Sequence, residues 1–116
     1  MDKGKKRSAH SASGARADYQ KLEDVIGCKW SVSVLQSIAV GAVRPGELER
    51  SIAGISTKAL SERLRKLQAY GLISKSVFPE VPPHTEYHLT CNGEKLVSII
   101  QQICQLDHAI ASVDES

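Results

Sequence analysis

Side chains that suit nucleic-acid recognition are concentrated between residues 56 and 75. This segment holds five Lys or Arg residues against one acid, whereas residues 18–116 as a whole hold ten Lys or Arg against twelve Asp or Glu. Lys and Arg bind phosphate, Arg also binds guanine edges, and Ser or Thr hydroxyls bond to either backbone or base. The chemistry expected here is DNA contact, through Ser56, Thr57, Lys58, Ser61, Glu62, Arg65 and Lys75.

The histidines near residue 86 and the cysteines offer further chemistry. His84 follows a run of prolines, and its imidazole can donate a hydrogen bond to phosphate, so it joins the predicted DNA contacts. His84 and His88 lack the third and fourth ligands that a metal needs, so no metal site is predicted. Cys28 lies beside Lys29, whose charge can lower a thiol pKa, which makes Cys28 a possible sensor; burial as a small apolar residue is the alternative.

Several function classes are not expected from the sequence. It has no Gly-rich phosphate loop, nucleophile elbow or carboxylate cluster, so neither an enzyme nor a bound cofactor is predicted. The chain has 116 residues, of which 41% are hydrophobic and 24% charged, which is typical of one globular domain. Without an apolar run of about 18 residues or a secretory signal, the protein is expected to be cytoplasmic, with no membrane partner.

The basic segment is expected to form a helix over about residues 56–70. Ser56 can cap its start, and Leu60, Leu64 and Leu67 share one face. Gly71 lies where a left-handed C-terminal cap is needed. The polar residues of this helix that are expected to contact DNA would therefore project away from its leucine face.

The elements around this helix predict a winged helix-turn-helix. A short helix begins near Pro45 and precedes the basic helix, which gives the two helices of the motif. Strand-forming residues on either side of a proline-rich tip then predict a hairpin, the wing, over about residues 74–89. The expected fold class is α+β, mostly α.

Helices are also expected at both ends of the domain. Apolar residues recur at helical spacing near residue 22 and again from residue 96 to residue 110. Such a small chain has little core to cover the second stripe, so a partner subunit is expected to cover it; an intrachain packing helix is the alternative. The predicted dimer interface consists of Leu22, Val25, Leu96, Ile99, Ile100, Ile103, Leu106 and Ile110.

Residues 1–17 are expected to form a disordered basic tail before a domain spanning residues 18–116. The tail holds five Lys or Arg against one Asp, and after Met1 none of its apolar residues is larger than alanine. A segment of this composition cannot bury enough surface to offset the entropy of ordering.

The sequence resembles the HxlR-type transcriptional regulators, which are winged helix-turn-helix proteins of bacteria and archaea. The resemblance covers about residues 19–108 and is carried by Ile26-Gly27-Cys28-Lys29-Trp30, by Glu47-Leu48, by residues 54–64 and 70–73, and by residues 82–90. Three features depart from the family pattern. Pro45 stands where an aromatic residue is usual, the tryptophan often found near Leu106 is missing, and residues 16–19 lack the Cys-Pro pair whose cysteine senses oxidants in some members.

The resemblance implies a homodimer that binds a palindromic operator in double-stranded DNA. Helix 56–70 would lie in the major groove and the wing near the minor groove. Two alternatives remain open: a winged-helix module that docks another protein, and a repressor that senses redox state or electrophiles through Cys28. The sequence leaves open a small-molecule or oxidant inducer.

Overall fold

The computed structural model describes residues 19–115, which form a winged helix-turn-helix. This confirms the predicted fold class, whereas the predicted tail at residues 1–17 lies outside the described residues. The elements are α1 (Gln20–Ile26), α2 (Lys29–Ala39), α3 (Pro45–Ser51), α4 (Thr57–Ala69), β1 (Ile73–Phe78), β2 (His84–Leu89) and α5 (Cys91–Glu115).

Helix α4 has well-defined ends that the sequence predicts. At its start, the Ser56 hydroxyl oxygen accepts a hydrogen bond from the Ala59 N–H at 3.0 Å. At its end, Gly71 has φ +75°, and the Leu72 N–H donates to the Leu67 carbonyl at 3.0 Å. This is the Schellman pattern, in which a left-handed residue lets the chain turn back over the helix end. The turn leads directly into the wing.

Helix α2 lies at the centre of the core and packs against α4, α5 and β2. Its Val34 and Leu35 are fully buried, as is Leu67 from α4. Leu60 and Leu64 are buried beside them, which confirms the leucine face predicted for α4. The core therefore fixes which face of α4 remains on the surface.

The wing is a two-stranded antiparallel hairpin in which Ile73 pairs with Leu89 and Phe78 pairs with His84. Residues 79–83, with all three prolines of the tip, form the connecting loop. The Tyr87 N–H donates to the Val43 carbonyl at 2.8 Å, which ties β2 to the loop before α3. The predicted range of 74–89 is thus one residue short at its start.

Helix α5 begins against the turn that ends α4. The Thr90 hydroxyl donates to the Gly71 carbonyl at 2.6 Å and accepts from the Gly93 N–H at 3.1 Å. A Cβ on Gly93 would overlap the Leu72 carbonyl, so only glycine permits this approach. The helix has 25 residues, and residues 101–113 are all exposed. Its second half therefore extends beyond the core of the protomer.

Candidate nucleic-acid interface

The outer face of α4 holds most of the residues predicted to contact DNA. Because Leu60, Leu64 and Leu67 point into the core, the opposite side of the helix faces outward. The exposed residues there are Thr57, Lys58, Ser61, Glu62 and Arg65, with Ser56 exposed at the N-cap. We call this set, residues 56–58, 61, 62 and 65, the outer face of α4.

Two cations on this outer face are unpaired. Among residues 19–115, neither Lys58 nor Arg65 takes part in an ion pair or a side-chain hydrogen bond. Their charge is not neutralised within the described part of the chain. An unpaired exposed cation can bind phosphate without first breaking a bond within the protein, and an arginine can also bind two acceptors of guanine.

A shallow groove of about 320 Å³ runs between α4, α3 and the wing. Thr57, Ser61 and Arg65, spaced by four residues, line it together with Lys75 of β1. The structure therefore brings four of the predicted contacts to one groove. Gln68 also lines the groove, and sequence reasoning missed it although it continues the same helical stripe.

The hydroxyls at the start of α4 are already hydrogen-bonded. Ser56 caps the helix, while the Thr57 hydroxyl donates to Glu49 Oε2 of α3 at 2.8 Å. Glu49 is a second residue that the sequence did not single out. Its carboxylate holds Thr57 in place and adds a negative charge at the rim of the groove.

The remaining cations of α4 are engaged within the fold. Lys66 Nζ lies 2.9 Å from Asp24 Oδ2, and the Tyr70 hydroxyl donates to the same oxygen at 2.8 Å. The hydrogen bond from Lys66 holds the pKa of Asp24 below its usual value, and Asp24 in turn raises the pKa of Lys66. These contacts lie on the inner flank of α4, facing α1.

The wing departs from the prediction at His84. His84 begins β2, and its side chain is only 18% exposed, whereas a DNA contact requires an accessible side chain. Its Nδ1 lies 3.0 Å from Glu80 Oε1 and its Nε2 lies 3.3 Å from Glu86 Oε2, while its ring stacks on Phe78. His84 can reach phosphate only by releasing these carboxylates. By contrast, Lys75 is exposed, as a DNA contact requires.

Glu86 sits between the two histidines of the wing. His88 Nε2 lies 2.9 Å from Glu86 Oε1, on the side away from His84. Hydrogen bonding to His88 is the main reason that the pKa of Glu86 lies below its usual value. We call Glu80, His84, Glu86 and His88 the wing network.

Cys28 lies at the N-terminus of α2, and its side chain is half-buried. Arg63 Nη1 donates to its sulfur at 3.6 Å. Partial burial raises the pKa of the Cys28 thiol, but the polar groups of Ser31 and Trp30 in the first turn, with the Arg63 charge, outweigh that effect and lower it. A lowered thiol pKa increases the fraction of reactive thiolate at neutral pH.

The predicted dimer interface divides into two sets. Val25, Leu96 and Ile100 are at most 3% exposed and belong to the core of the protomer, so their assignment to the interface was wrong. Each of these helices buries one apolar face within the protomer and exposes a neighbouring apolar face. Helical spacing alone does not show which of the two faces a residue belongs to. The other five predicted residues are between 39% and 61% exposed: Leu22, Ile99, Ile103, Leu106 and Ile110.

The described residues form neither a candidate metal site nor a membrane-spanning helix. Between residues 19 and 115, no three His, Cys, Asp or Glu side chains are grouped so that they could hold a metal ion. No helix in that range is long and apolar enough to cross a bilayer.

Comparison with known proteins finds the same architecture in transcriptional regulators. The family model for HxlR-like helix-turn-helix proteins matches residues 25–115. An HTH-type transcriptional regulator of Synechocystis is 40% identical over 81 residues, which cover 70% of this chain and 60% of that protein. The HTH-type regulator YkvN of Bacillus subtilis is 41% identical over 87 residues, covering 75% of this chain and 74% of YkvN.

A solved structure extends this similarity to three dimensions. The redox regulator HypR in its reduced form is 32% identical, with a TM-score of 0.73 over 84% of this chain and 97% of HypR. The arrangement of α3, α4 and the wing is thus shared with a known regulator.

Proposed function

Because this chain belongs to the HxlR-like helix-turn-helix family of transcriptional regulators, we propose that it binds operator DNA as a homodimer and places the outer face of α4 in the major groove. The observation that carries this proposal is the pair of unpaired cations, Lys58 and Arg65, on the exposed side of a helix with well-defined ends. In a helix-turn-helix, the second helix lies in the major groove, and its first turns contact base edges.

The wing would approach the DNA backbone beside the groove that α4 enters. Lys75 is exposed on β1 and lines the same groove as Thr57, Ser61 and Arg65, so one duplex could contact all four. We assign Lys75 to phosphate, because a single flexible ammonium binds as a point charge and carries little sequence information.

Selection of bound sequences from a random duplex pool tests this function. We expect the chain to enrich a palindromic site with half-sites about one helical turn apart, or a multiple of it. Binding of the enriched duplex should weaken steeply as salt is raised, because counterions are released when Lys and Arg neutralise phosphates. No enrichment together with a flat salt response would contradict DNA binding and favour a protein-docking module.

The homodimer is supported by the exposed apolar residues of α5. Ile103 and Leu106 lie in the half of α5 that extends beyond the core, and Leu22 of α1 is also exposed. Apolar faces of this kind are typical of obligate interfaces. Sedimentation should therefore give twice the chain mass, and the Ile103→Glu, Leu106→Glu variant should give a monomer. A monomeric wild-type chain would contradict the proposal.

A second candidate function, thiol-based sensing, is favoured by the environment of Cys28. The Arg63 contact and the lowered pKa would make this thiol more reactive than the exposed Cys91 and Cys104. Arg63 belongs to α4, so modification of the sulfur would change a contact of the helix that we assign to DNA.

Alkylation by iodoacetamide, followed by mass spectrometry of each cysteine, tests the sensing function. We expect Cys28 to react faster than Cys104 at neutral pH, and alkylation to weaken DNA binding in wild type but not in Cys28→Ser. Equal release of DNA from wild type and Cys28→Ser would remove Cys28 from any sensing mechanism.

A further inference from the structure

A polar junction connects α1 to the inner flank of α4. Asp24 Oδ2 accepts hydrogen bonds from both Lys66 and Tyr70, at 2.9 Å and 2.8 Å. Asp24 and Tyr70 are 46 residues apart in sequence. One carboxylate oxygen therefore joins α1 to the last turn of α4 and its C-cap residue.

A second contact lies about one helical turn away, counted from Lys66 along α4 and from Asp24 along the chain after it. Arg63, three residues before Lys66, donates to the sulfur of Cys28, four residues after Asp24. Arg63, Lys66 and Tyr70 thus form a stripe on α4 that faces Asp24 and Cys28. One contact point is on α1 and the other is at the N-terminus of α2, just after α1, and together they resist rotation of α4 more than one point would.

Helix α1 has a different neighbour on each of its faces. Val25 is buried in the core, Asp24 faces α4, and Leu22 and Ile26 are exposed on a face available to a partner subunit. The residue that holds α4 is therefore adjacent to residues of the surface that we assign to the dimer interface.

We propose that Asp24 is a positioning residue, which fixes the orientation of α4 relative to α1 and thereby sets the separation of the two α4 helices in the dimer. This inference rests on the proposed function, since it requires two DNA-binding helices held by one interface. Half-site spacing in an operator reflects the separation of the two recognition helices. Asp24 would therefore control which spacing the dimer accepts, without touching DNA.

Stabilisation of the fold explains this junction less well than positioning of α4 does. The side chains of Asp24 and Lys66 are each 38% exposed, and exposed ion pairs contribute little to the free energy of unfolding. The same pair can still select one orientation among several of similar free energy, because its geometry is specific. Its effect should therefore appear in the spacing preference more than in the thermal midpoint.

The test measures binding to a series of operators that differ only in half-site spacing. The probe is the duplex enriched from the random pool by the wild-type chain, with one to four base pairs inserted or deleted between its half-sites. The variants are Asp24→Asn, which loses the charge, and Tyr70→Phe, which loses one donor. Asp24→Glu serves as the conservative variant. Lys21→Gln is the matched control, since Lys21 lies on α1 but makes no hydrogen bond or ion pair to α4 within residues 19–115.

We compare each chain's affinity at the least favourable spacing with its affinity at the enriched spacing. The wild-type chain should lose about tenfold, and Asp24→Asn only about threefold. Tyr70→Phe should fall between them, whereas Asp24→Glu and Lys21→Gln should keep a profile close to that of wild type. The dimer mass and thermal midpoint of Asp24→Asn should remain near those of wild type.

Two results would overturn the inference, and they are distinguishable. If Asp24→Asn and Tyr70→Phe both give the wild-type spacing profile, Asp24 does not position α4 although the dimer still binds DNA. If the wild-type chain binds a single half-site as tightly as the pair, the proposed dimeric function fails first, and the inference fails with it. If Asp24→Asn does not fold, the Tyr70→Phe profile decides.

Discussion

The outer face of α4 and the wing border the same groove, yet their charged groups are arranged differently. On α4, Lys58 and Arg65 have no ionic partner among residues 19–115. In the wing, both histidines lie against carboxylates: His84 against Glu80 and Glu86, and His88 against Glu86.

This difference indicates a division of roles. Unpaired cations on a rigid helix supply affinity, because no internal bond has to break before they bind phosphate. Histidines that lie against carboxylates supply less affinity, because their polar groups are already engaged within the protein. The helix should therefore determine whether DNA is bound, and the wing should adjust how tightly.

The largest effect is expected from Arg65→Ala and Lys58→Ala. Each should weaken operator binding by about tenfold or more, since a base or phosphate contact is worth roughly 1–3 kcal/mol. A base contact would lower discrimination at one operator position, whereas a phosphate contact would weaken binding to all sequences equally. Fluorescence anisotropy with the enriched duplex and with single-position variants measures both.

Lys95→Ala is the matched control for these two variants. Lys95 is an exposed cation on α5 that borders a separate cavity with Leu22 and Ile99. Its removal should leave operator binding nearly unchanged. Equal losses in Lys95→Ala and Arg65→Ala would mean that net charge, and not the outer face of α4, governs binding.

A smaller effect is expected from Ser56→Ala, which removes the N-cap of α4. Loss of a capping hydroxyl costs about 1 kcal/mol in the free energy of unfolding, measurable by urea denaturation. Ser56→Asp, which can also cap, should recover most of this loss. An unchanged free energy of unfolding in Ser56→Ala would show that the rigid start of α4 does not depend on this hydrogen bond.

The smallest effect is expected from pH acting on the wing network. The folded pKa of Glu86 lies below its usual 4.5, so Glu86 stays ionised near neutral pH. Its contribution to stability is present above about pH 4.5 and is lost as the pH falls through the folded pKa. As the pH is lowered from 6 to 3, the free energy of unfolding should therefore fall less in Glu86→Gln than in wild type, which urea denaturation at each pH would measure.

The charge of Glu86 should also affect operator binding. Glu86→Gln should bind operator DNA more tightly than wild type, because it removes a negative charge from the wing. Equal or weaker operator binding by Glu86→Gln, measured by fluorescence anisotropy, would show that the wing does not face phosphate.

Features set by local chemistry could be predicted from the sequence. Ser56 and Gly71 act within a few residues of their own positions, and the leucines of α4 follow its helical period. The helix, its ends and its outer face could therefore be predicted. The family resemblance then supplied the expected position of this helix on DNA.

Features that depend on long-range packing could not be predicted in the same way. The partners of Asp24 lie more than 40 residues away, and the contacts of His84 depend on the strand register and the path of the loop. Similarly, the apolar period of α5 does not reveal that Leu96 and Ile100 face the core while Ile99 and Ile103 remain exposed.

Site-specific photocrosslinking would examine the position of α4 on DNA most directly. A benzophenone maleimide is attached at Ser61→Cys, or at Ser98→Cys on the exposed surface of α5 as the matched control, with Cys28, Cys91 and Cys104 replaced by serine. We predict that the probe at residue 61 crosslinks to the enriched duplex, that unlabelled duplex competes, and that the probe at residue 98 does not crosslink to DNA. Crosslinking from residue 98 but not from residue 61 would contradict the assignment of the outer face of α4 to DNA.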